Sequence, residues 1–222
     1  SFTQTATAAG WKTTSVEAGV TVQTRPGAGG NLPAFRGITV MPHRIWHILA
    51  VIEDLDAVCE WAKRCVASKE LRRDTFTRRV FYNRTSAPWP FSDRDSLMLG
   101  KVEGLEEGKD VRLLFSRIVS SIKQPVPGVV RMPQMRGMYR LVALGPNRTK
   151  VIFEVRAHPG GAIPNWLAGW VSKRIPTDTL VGLRRQVTKV GTRYAAFIKR
   201  WDPLHRKTSA ARLPGAATAS GE

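Results

Sequence analysis

The segment Ala-Pro-Trp-Pro-Phe-Ser-Asp-Arg-Asp, residues 87–95, decides the fold because it predicts a rigid corner that leads into a strand. Its two prolines restrict the backbone on both sides of the tryptophan. Arg94 and Asp95 then stand where the predicted strand, residues 95–102, begins. One interpretation is a structural corner with a surface ion pair, which contributes about 1 kcal/mol or less. The other places one of the two charges on the concave face of a sheet, where it needs a partner or a polar ligand group.

Strands are predicted on both sides of this corner. Apolar and polar residues alternate in residues 111–118 and again in 149–156, which is typical of half-buried strands. The dipeptide Pro146-Asn147 predicts the turn that joins strand 149–156 to strand 137–144. Residues 11–41 alternate in short runs and predict two or three further strands. No helix long enough for a crossover connection lies within the later run of strands, so we expect it to be antiparallel.

Helices are predicted before and after the later strands. One helix begins near Pro42, and a second short helix surrounds Trp61. Near the end of the sequence, apolar residues recur at a spacing of three and four from Leu180 to Trp201, which predicts one long amphipathic helix. Pro176 is expected to kink or interrupt the helical segment that precedes it.

The order of these elements predicts an α+β domain over residues 1–202. A single curved antiparallel sheet that closes on the C-terminal helix satisfies this order, and no linker between two domains is visible before residue 203. Residues 203–222 are rich in alanine, serine and glycine, and we expect them to form a loose basic tail.

The charge of the chain indicates an anionic partner. The 222 residues include 35 lysines and arginines against 17 aspartates and glutamates, a formal net charge of +18. Nucleic acid, an anionic membrane surface or an acidic protein would each fit this charge. No apolar run approaches the roughly 18 residues of a membrane span. The composition predicts a soluble protein, peripheral to the membrane. Because the first residue is serine, the compartment stays unknown: cytoplasmic, or periplasmic if a leader was removed.

Catalytic and metal-binding patterns are weak. His43 and His47 have the spacing of a metal pair on a helix, but Arg44 stands where a zinc protease carries its glutamate, and no third ligand is evident. We therefore expect no metal, no cofactor and no catalytic residue. Cys59 and Cys65 are six residues apart in a stretch that looks helical, where they would face different sides, so we expect no disulfide between them.

The run Trp-Pro-Phe-Ser-Asp-Arg-Asp, residues 89–95, resembles the signature of START domains, the steroidogenic-acute-regulatory-related lipid-transfer family. Weaker points of resemblance follow in the same order: Gly19-Val20, Phe35-Arg36-Gly37, Glu60-Trp61, residues 127–131 and residues 160–167. Together they cover roughly residues 11–201, as in a divergent, bacterial-type member. The resemblance implies a helix-grip fold, in which a curved antiparallel sheet wraps around the C-terminal helix and encloses an apolar tunnel. It also implies that an omega-type loop at residues 120–136 forms a lid together with that helix.

Family members bind sterols, phospholipids or ceramides without covalent chemistry, so the resemblance implies a lipid site. Its expected cavity and lid residues are Arg94, Ser96, Met98, Leu113, Phe115, Arg117, Val129, Met138, Leu180, Leu183 and Val187. In sterol-carrying members a second buried arginine lies six residues after the first. Here that position is Gly100, so the head-group anchor is missing. Arg117 either supplies the positive charge of the missing arginine, or it lies at the edge of its strand with its guanidinium group in water.

These expectations define a function and two alternatives. We expect non-enzymatic binding and transfer of a lipid by a monomer, with transient docking on an anionic membrane and no nucleic-acid partner. The expected docking residues are Trp166, Trp170, Lys173 and Arg174. A polyketide cyclase or aromatase that uses the same cavity is one alternative, although the sequence offers few acid–base residues. A nucleic-acid-binding protein is the less favoured alternative, because no known motif accompanies the charge.

Overall fold

The computed structural model describes residues 10–27, 34–161 and 165–203, with the side chains of residues 165–173 outside the description. Its strands are β1 (Lys12–Glu17), β2 (Val20–Arg25), β3 (Ala34–Met41), β4 (Cys65–Thr75), β5 (Arg78–Thr85), β6 (Arg94–Glu103), β7 (Asp110–Arg117), β8 (Val130–Arg131), β9 (Gln134–Gly145) and β10 (Arg148–His158). Its α-helices are α1 (Ile45–Glu53), α2 (Asn165–Val187) and α3 (Ala195–Trp201). Short 3-10 helices span Leu55–Glu60 and Thr192–Tyr194.

The strands form one curved sheet in the order β1-β2-β3-β10-β9-β7-β6-β5-β4. Every neighbouring pair in this order is antiparallel, as the lack of a crossover helix between the later strands predicts. Among the described strands, the short β8 alone adds a parallel pairing, to β6. The predicted hairpin is also confirmed, because β9 and β10 pair from Gly145 and Arg148 along their whole length. The expected α+β architecture of a sheet closing on C-terminal helices is therefore confirmed.

Helix α2 packs very closely against its neighbours at two glycines. A Cβ atom on Gly37 of β3 would lie 2.8 Å from Leu180 Cδ1 and 2.9 Å from Pro176 Cβ. A Cβ atom on Gly182 of α2 itself would lie 2.1 Å from the Trp61 carbonyl oxygen. Real Cβ atoms do not approach other atoms this closely, so both contacts require glycine. They fix the distance of α2 from the sheet on one side and from the segment after the first 3-10 helix on the other.

The prediction of one continuous helix from Leu180 to Trp201 was wrong. Helix α2 ends at Val187, the Lys189 and Val190 amides close a turn on the carbonyl oxygens three residues before them, and α3 begins at Ala195. Apolar residues continue at the same spacing across the break because α2 and α3 both pack against α1. Pro176 lies inside α2 and does not end it.

The predicted absence of a disulfide was also wrong, because Cys59 and Cys65 are bonded to each other. The two residues do not share a helix: the 3-10 helix ends at Glu60, and Cys65 is the first residue of β4. Arg64, with φ of +71°, reverses the chain between them and brings their Cα atoms to 4.8 Å. The bond closes the short segment of residues 60–64.

The two histidines considered as a metal pair do not lie on one helix. Helix α1 begins at Ile45, so His43 precedes it and only His47 is helical. Burial lowers the pKa of His43, which favours its neutral form. Among the residues that the structure describes, no three His, Cys, Asp or Glu side chains converge on a possible metal position.

The end of the described chain is held by a buried ion pair. Arg44, just before α1, donates from Nε to Asp202 Oδ2 at 2.7 Å and from Nη2 to Oδ1 at 2.5 Å, and Asp202 is fully buried. The expected tail lies outside the described residues from position 204 onward. Within the described ranges, no helix has both the length and the hydropathy that crossing a bilayer requires.

Candidate functional site

A cavity of about 330 Å³ lies between the concave face of the sheet and α2. Its wall is mainly apolar and includes Phe35, Ile52, Phe81, Met98, Leu113, Phe115, Met132, Met135, Tyr139, Phe153 and Ile175. The segments 61–65 and 85–88 also contribute to the lining, and so does Pro159 after β10. Exposed cations, Lys63 and Arg174, belong to the same lining and mark the side on which the cavity meets solvent.

Strand register explains which residues of β6 and β7 face the cavity. Residues directly opposite each other on antiparallel strands point to the same face. Gly100 is opposite Phe115 and Val102 is opposite Leu113, and all four line the cavity. The same face of β6 carries Arg94 and Met98 into the lining.

The structure brings some of the expected site residues together and separates others. Arg94, Met98, Leu113 and Phe115 line the cavity. Ser96 lies between Arg94 and Met98 and is buried, and Arg117 is opposite Met98 on β7, so both face the same way as the lining.

The remaining expected residues lie elsewhere. Leu180, Leu183 and Val187 are buried in the hydrophobic core rather than in the cavity wall. Helix α2 instead lines the cavity one turn earlier, through Arg174, Ile175, Asp178 and Thr179. Met138 lies on the other side of β9, beside Leu114 and Arg136. Val129 is half-buried in the segment before β8 and is not among the lining residues. The side chains of Trp166, Trp170 and Lys173 lie outside the described residues.

A buried ion pair in the wall was not anticipated from the sequence. Arg79 of β5, which is 2% exposed, is bonded to Glu53 at the end of α1, and both residues line the cavity. Burial raises the pKa of Glu53, and the Arg79 charge opposes that rise. Arg79 is directly opposite Gly100 in the sheet. Strand β5 therefore places the buried guanidinium of Arg79 next to Gly100. Only the pairing of β5 with β6 reveals this, because no sequence spacing connects residues 53, 79 and 100.

Comparison with known proteins decides the family. The model of the START domain family matches residues 3–193. The chain belongs to the START domain family. It is also 31% identical over 182 residues to the uncharacterized protein PA1579 of Pseudomonas aeruginosa, across 81% of this chain and 87% of that protein.

Solved structures agree with this START assignment. The STAR-related lipid transfer protein (fragment 25–204) of Xanthomonas axonopodis superposes with a TM-score of 0.72 at 28% identity, covering 81% of this chain and 99% of that one. Human StAR-related lipid transfer protein 5 superposes with a TM-score of 0.75 at 20% identity, covering 82% and 88%, which shows a shared fold. The expected family and helix-grip fold are thus confirmed.

The same fold occurs in an enzyme. Zhui aromatase/cyclase from Streptomyces sp. R1128 superposes with a TM-score of 0.55 at 9% identity, covering 70% of this chain and 93% of that one. At that identity the likeness concerns the fold alone, so it does not transfer the activity to this START domain.

Arg94 and Asp95, the Arg-Asp pair of the START signature, point to opposite faces of the sheet. Asp95 is fully buried and points away from Arg94, because successive residues of a strand face opposite sides. Its carboxylate accepts from Arg131 of β8, with Nε to Oδ1 at 2.6 Å and Nη2 to Oδ2 at 3.1 Å. Burial and the Asp95 charge together raise the pKa of nearby Tyr82 to about 12. The interpretation of Arg94 and Asp95 as a surface ion pair was therefore wrong.

The Asp95–Arg131 pair secures the segment that follows β7. The amides of Val130 and Met132 donate to the carbonyl oxygens of Asp93 and Asp95 at 2.9 Å each, on either side of the ion pair. The expected loop of residues 120–136 is therefore shorter than predicted. The connection between β7 and β8 is residues 118–129, called the β7–β8 loop below, and the second part of the expected loop joins the sheet as β8 and the start of β9.

We predict that Asp95→Ala lowers the free energy of unfolding by about 3–5 kcal/mol, because it leaves Arg131 largely buried without its partner. Asp93→Ala is the matched control. It removes a carboxylate two residues away, whose pair with Arg84 is partly exposed, and should cost about 1 kcal/mol or less. Urea denaturation of both variants measures the difference, and equal small losses would contradict a structural role for Asp95.

Proposed function

We propose that this START domain binds one lipid in the cavity between the sheet and α2 and transfers it between membranes without covalent chemistry. The observation that supports this most strongly is the cavity itself, a mainly apolar space beside the hydrophobic core of the domain. Removing a lipid tail from water stabilises the complex by about 0.8 kcal/mol per CH₂ group. A lipid tail that moves from a bilayer into the cavity passes from one apolar environment to another. The free-energy change is therefore small, and the protein can both load and unload the lipid.

Loading requires a path into the cavity, and the described geometry favours the side of the β7–β8 loop and the first half of α2. Met132, just after β8, and Ile175 of α2 both line the cavity. The Asp95–Arg131 pair holds the far end of the loop to β6, and the glycine contacts hold α2 from Pro176 onward, so we expect the opening motion in residues 118–129 and in the part of α2 before Pro176.

A membrane surface is the proposed place of this exchange. Trp89 in the proline-rich corner is 92% exposed, and its neighbour Pro88 lines the cavity. Tryptophan is favoured at the interface of a bilayer. The exposed cations Lys63 and Arg174 lie in the same lining, and anionic lipids attract such groups with roughly 1 kcal/mol each. The tryptophan and the cations therefore lie near the same opening.

An acid–base enzyme of the cyclase type is the second candidate, because Glu53 and Tyr139 line the cavity. Burial raises the pKa of both groups, which keeps Tyr139 protonated at neutral pH. Glu53 is bonded to Arg79, so proton transfer by Glu53 would first require this buried pair to separate. Lipid transfer needs no such separation and is the favoured proposal. Recovery of a bound ligand as a changed product, detected by mass spectrometry, would favour the enzyme instead.

We predict that Ala157→Trp weakens saturable binding of a fluorescent lipid at least several-fold, because Ala157 of β10 lines the cavity and an indole there would take up part of the space for the tail. Leu144→Trp is the control, since Leu144 is 48% exposed in the β9–β10 hairpin at the other end of the strand. Titration of both variants and the unchanged protein, with melting temperatures recorded, measures the effect. Unaltered binding by a folded Ala157→Trp variant would contradict the cavity as the lipid site.

We predict that Trp89→Ser weakens co-sedimentation with anionic vesicles several-fold, whereas Leu144→Ser, which also removes an exposed apolar side chain, leaves it unchanged. Binding of the unchanged protein should fall as salt rises from 0.1 M to 1 M, since the Debye length shrinks from about 10 Å to about 3 Å. Equal sedimentation with neutral and anionic vesicles at both salt concentrations would remove the electrostatic part of the proposed docking.

A further inference from the structure

Two arginines on the concave face of the sheet, Arg94 and Arg117, pair with no carboxylate in the part of the chain that the structure describes. From this we infer that the bound lipid carries an anionic head group, a carboxylate or a phosphate, held by Arg94 and Arg117. This inference rests on the proposed function, because it names the class of lipid that the cavity accepts.

Strand register brings the two arginines to one region. Arg94 and Ser96 are alternate residues of β6, and Met98, the next residue on that face, is directly opposite Arg117 of β7. Arg94 and Met98 line the cavity. Ser96 is 1% exposed and lies between the two arginines along the strand. The three polar side chains thus project to one side of neighbouring strands, at the β7–β8 loop end of the cavity.

One polar atom of each side chain is buried and has no hydrogen-bond partner among the described residues. Arg94 Nε, Ser96 Oγ and Arg117 Nε are each inaccessible to solvent and form no hydrogen bond. Arg94 does use Nη1, which donates to the Ser92 carbonyl oxygen at 2.5 Å, and this bond orients the guanidinium. Buried donors are almost always satisfied in folded proteins. Three unsatisfied polar atoms on one face therefore indicate that an acceptor comes from a bound molecule.

Four other cations of the cavity lining form ion pairs with carboxylates, whereas Arg94 forms none within the described residues. Lys63 pairs with Asp178 at 3.5 Å, Lys101 with Glu103 at 2.7 Å, and Arg174 with Glu17 at 3.6 Å, while Arg79 is bonded to Glu53. Neither Arg94 nor Arg117 forms an ion pair within the described residues. Every aspartate and glutamate of the sequence except Glu222 lies in that part of the chain. The compensating charge is therefore assigned to the ligand.

The chemistry of guanidinium groups selects among lipid classes. A carboxylate or phosphate accepts from arginine in the charge-assisted geometry that suits it best, and Ser96 can donate a further hydrogen bond. The hydroxyl of a sterol or a ceramide would satisfy one donor but would leave two partly buried charges uncompensated. An anionic amphiphile fits both arginines, and its tail would occupy the apolar wall around Phe115.

Three amphiphiles with the same saturated tail test this assignment: palmitate, hexadecyl phosphate and hexadecanol. Each displaces a fluorescent apolar probe from the unchanged protein, and we expect the anions to bind at least about tenfold more tightly than the neutral alcohol. Arg94→Gln and Arg117→Gln should each weaken binding of the anions about tenfold and leave hexadecanol unaffected. Arg117→Lys, which keeps the charge, should retain part of the preference.

Arg112→Gln is the matched control, because Arg112 lies on β7 but faces the other side and is exposed. It removes one positive charge and should not change any affinity. Melting temperatures establish that each variant is folded, and Arg117→Gln decides the question if Arg94→Gln does not fold. The stronger of the two anions identifies the head group.

Equal affinity for hexadecanol and both anions, unchanged in Arg94→Gln and Arg117→Gln, would overturn the anionic assignment and leave lipid binding intact. Displacement of the probe by none of the three amphiphiles would overturn this inference together with the proposed function.

Discussion

The close contact of α2 with the sheet determines what the rest of the structure can do. Gly37 allows Leu180 and Pro176 to approach β3, and Gly182 allows the Trp61 carbonyl to approach α2 from the other side. With the helix held at both contacts, its second half fills the core beneath β2 and β3. The cavity lies beside these contacts, between the concave face of the sheet and the part of α2 that precedes Leu180. The two glycines therefore hold α2 in the position where it forms one wall of the cavity.

The Arg-Asp pair of the signature joins this cavity to the segment beside it. Because adjacent strand residues face opposite sides, Asp95 binds Arg131 and secures β8 while Arg94 faces the cavity. The fold thus couples the placement of the half-buried Arg94 to the anchoring of the β7–β8 loop. A second cation, Arg79, is neutralised by Glu53. Arg94 has no ion pair among the described residues, and the proposed preference of the cavity for an anionic lipid rests on this difference from Arg79.

The sequence predicted the strands and the β9–β10 hairpin well, but it did not predict which distant residues contact each other. Period-two alternation and the Pro146-Asn147 turn are local signals, and they yielded the antiparallel sheet and the β9–β10 hairpin. The break between α2 and α3 was missed because both helices bury one face against the same core, so the apolar spacing continues across the break. The Cys59–Cys65 disulfide was missed because the 3-10 helix ends at Glu60, between the two cysteines, and no signal in the sequence predicted that end. Arg79 with Glu53 and Asp95 with Arg131 are contacts between distant segments, which no spacing encodes.

A crystal structure of the protein purified with its native ligand tests the central claim most directly. We expect elongated electron density for one amphiphile between Phe115 of β7 and Ile175 of α2, with its head group within hydrogen-bonding distance of Arg94 or Arg117. Density for a lipid on another surface, or side chains repacked to fill a closed core, would contradict it.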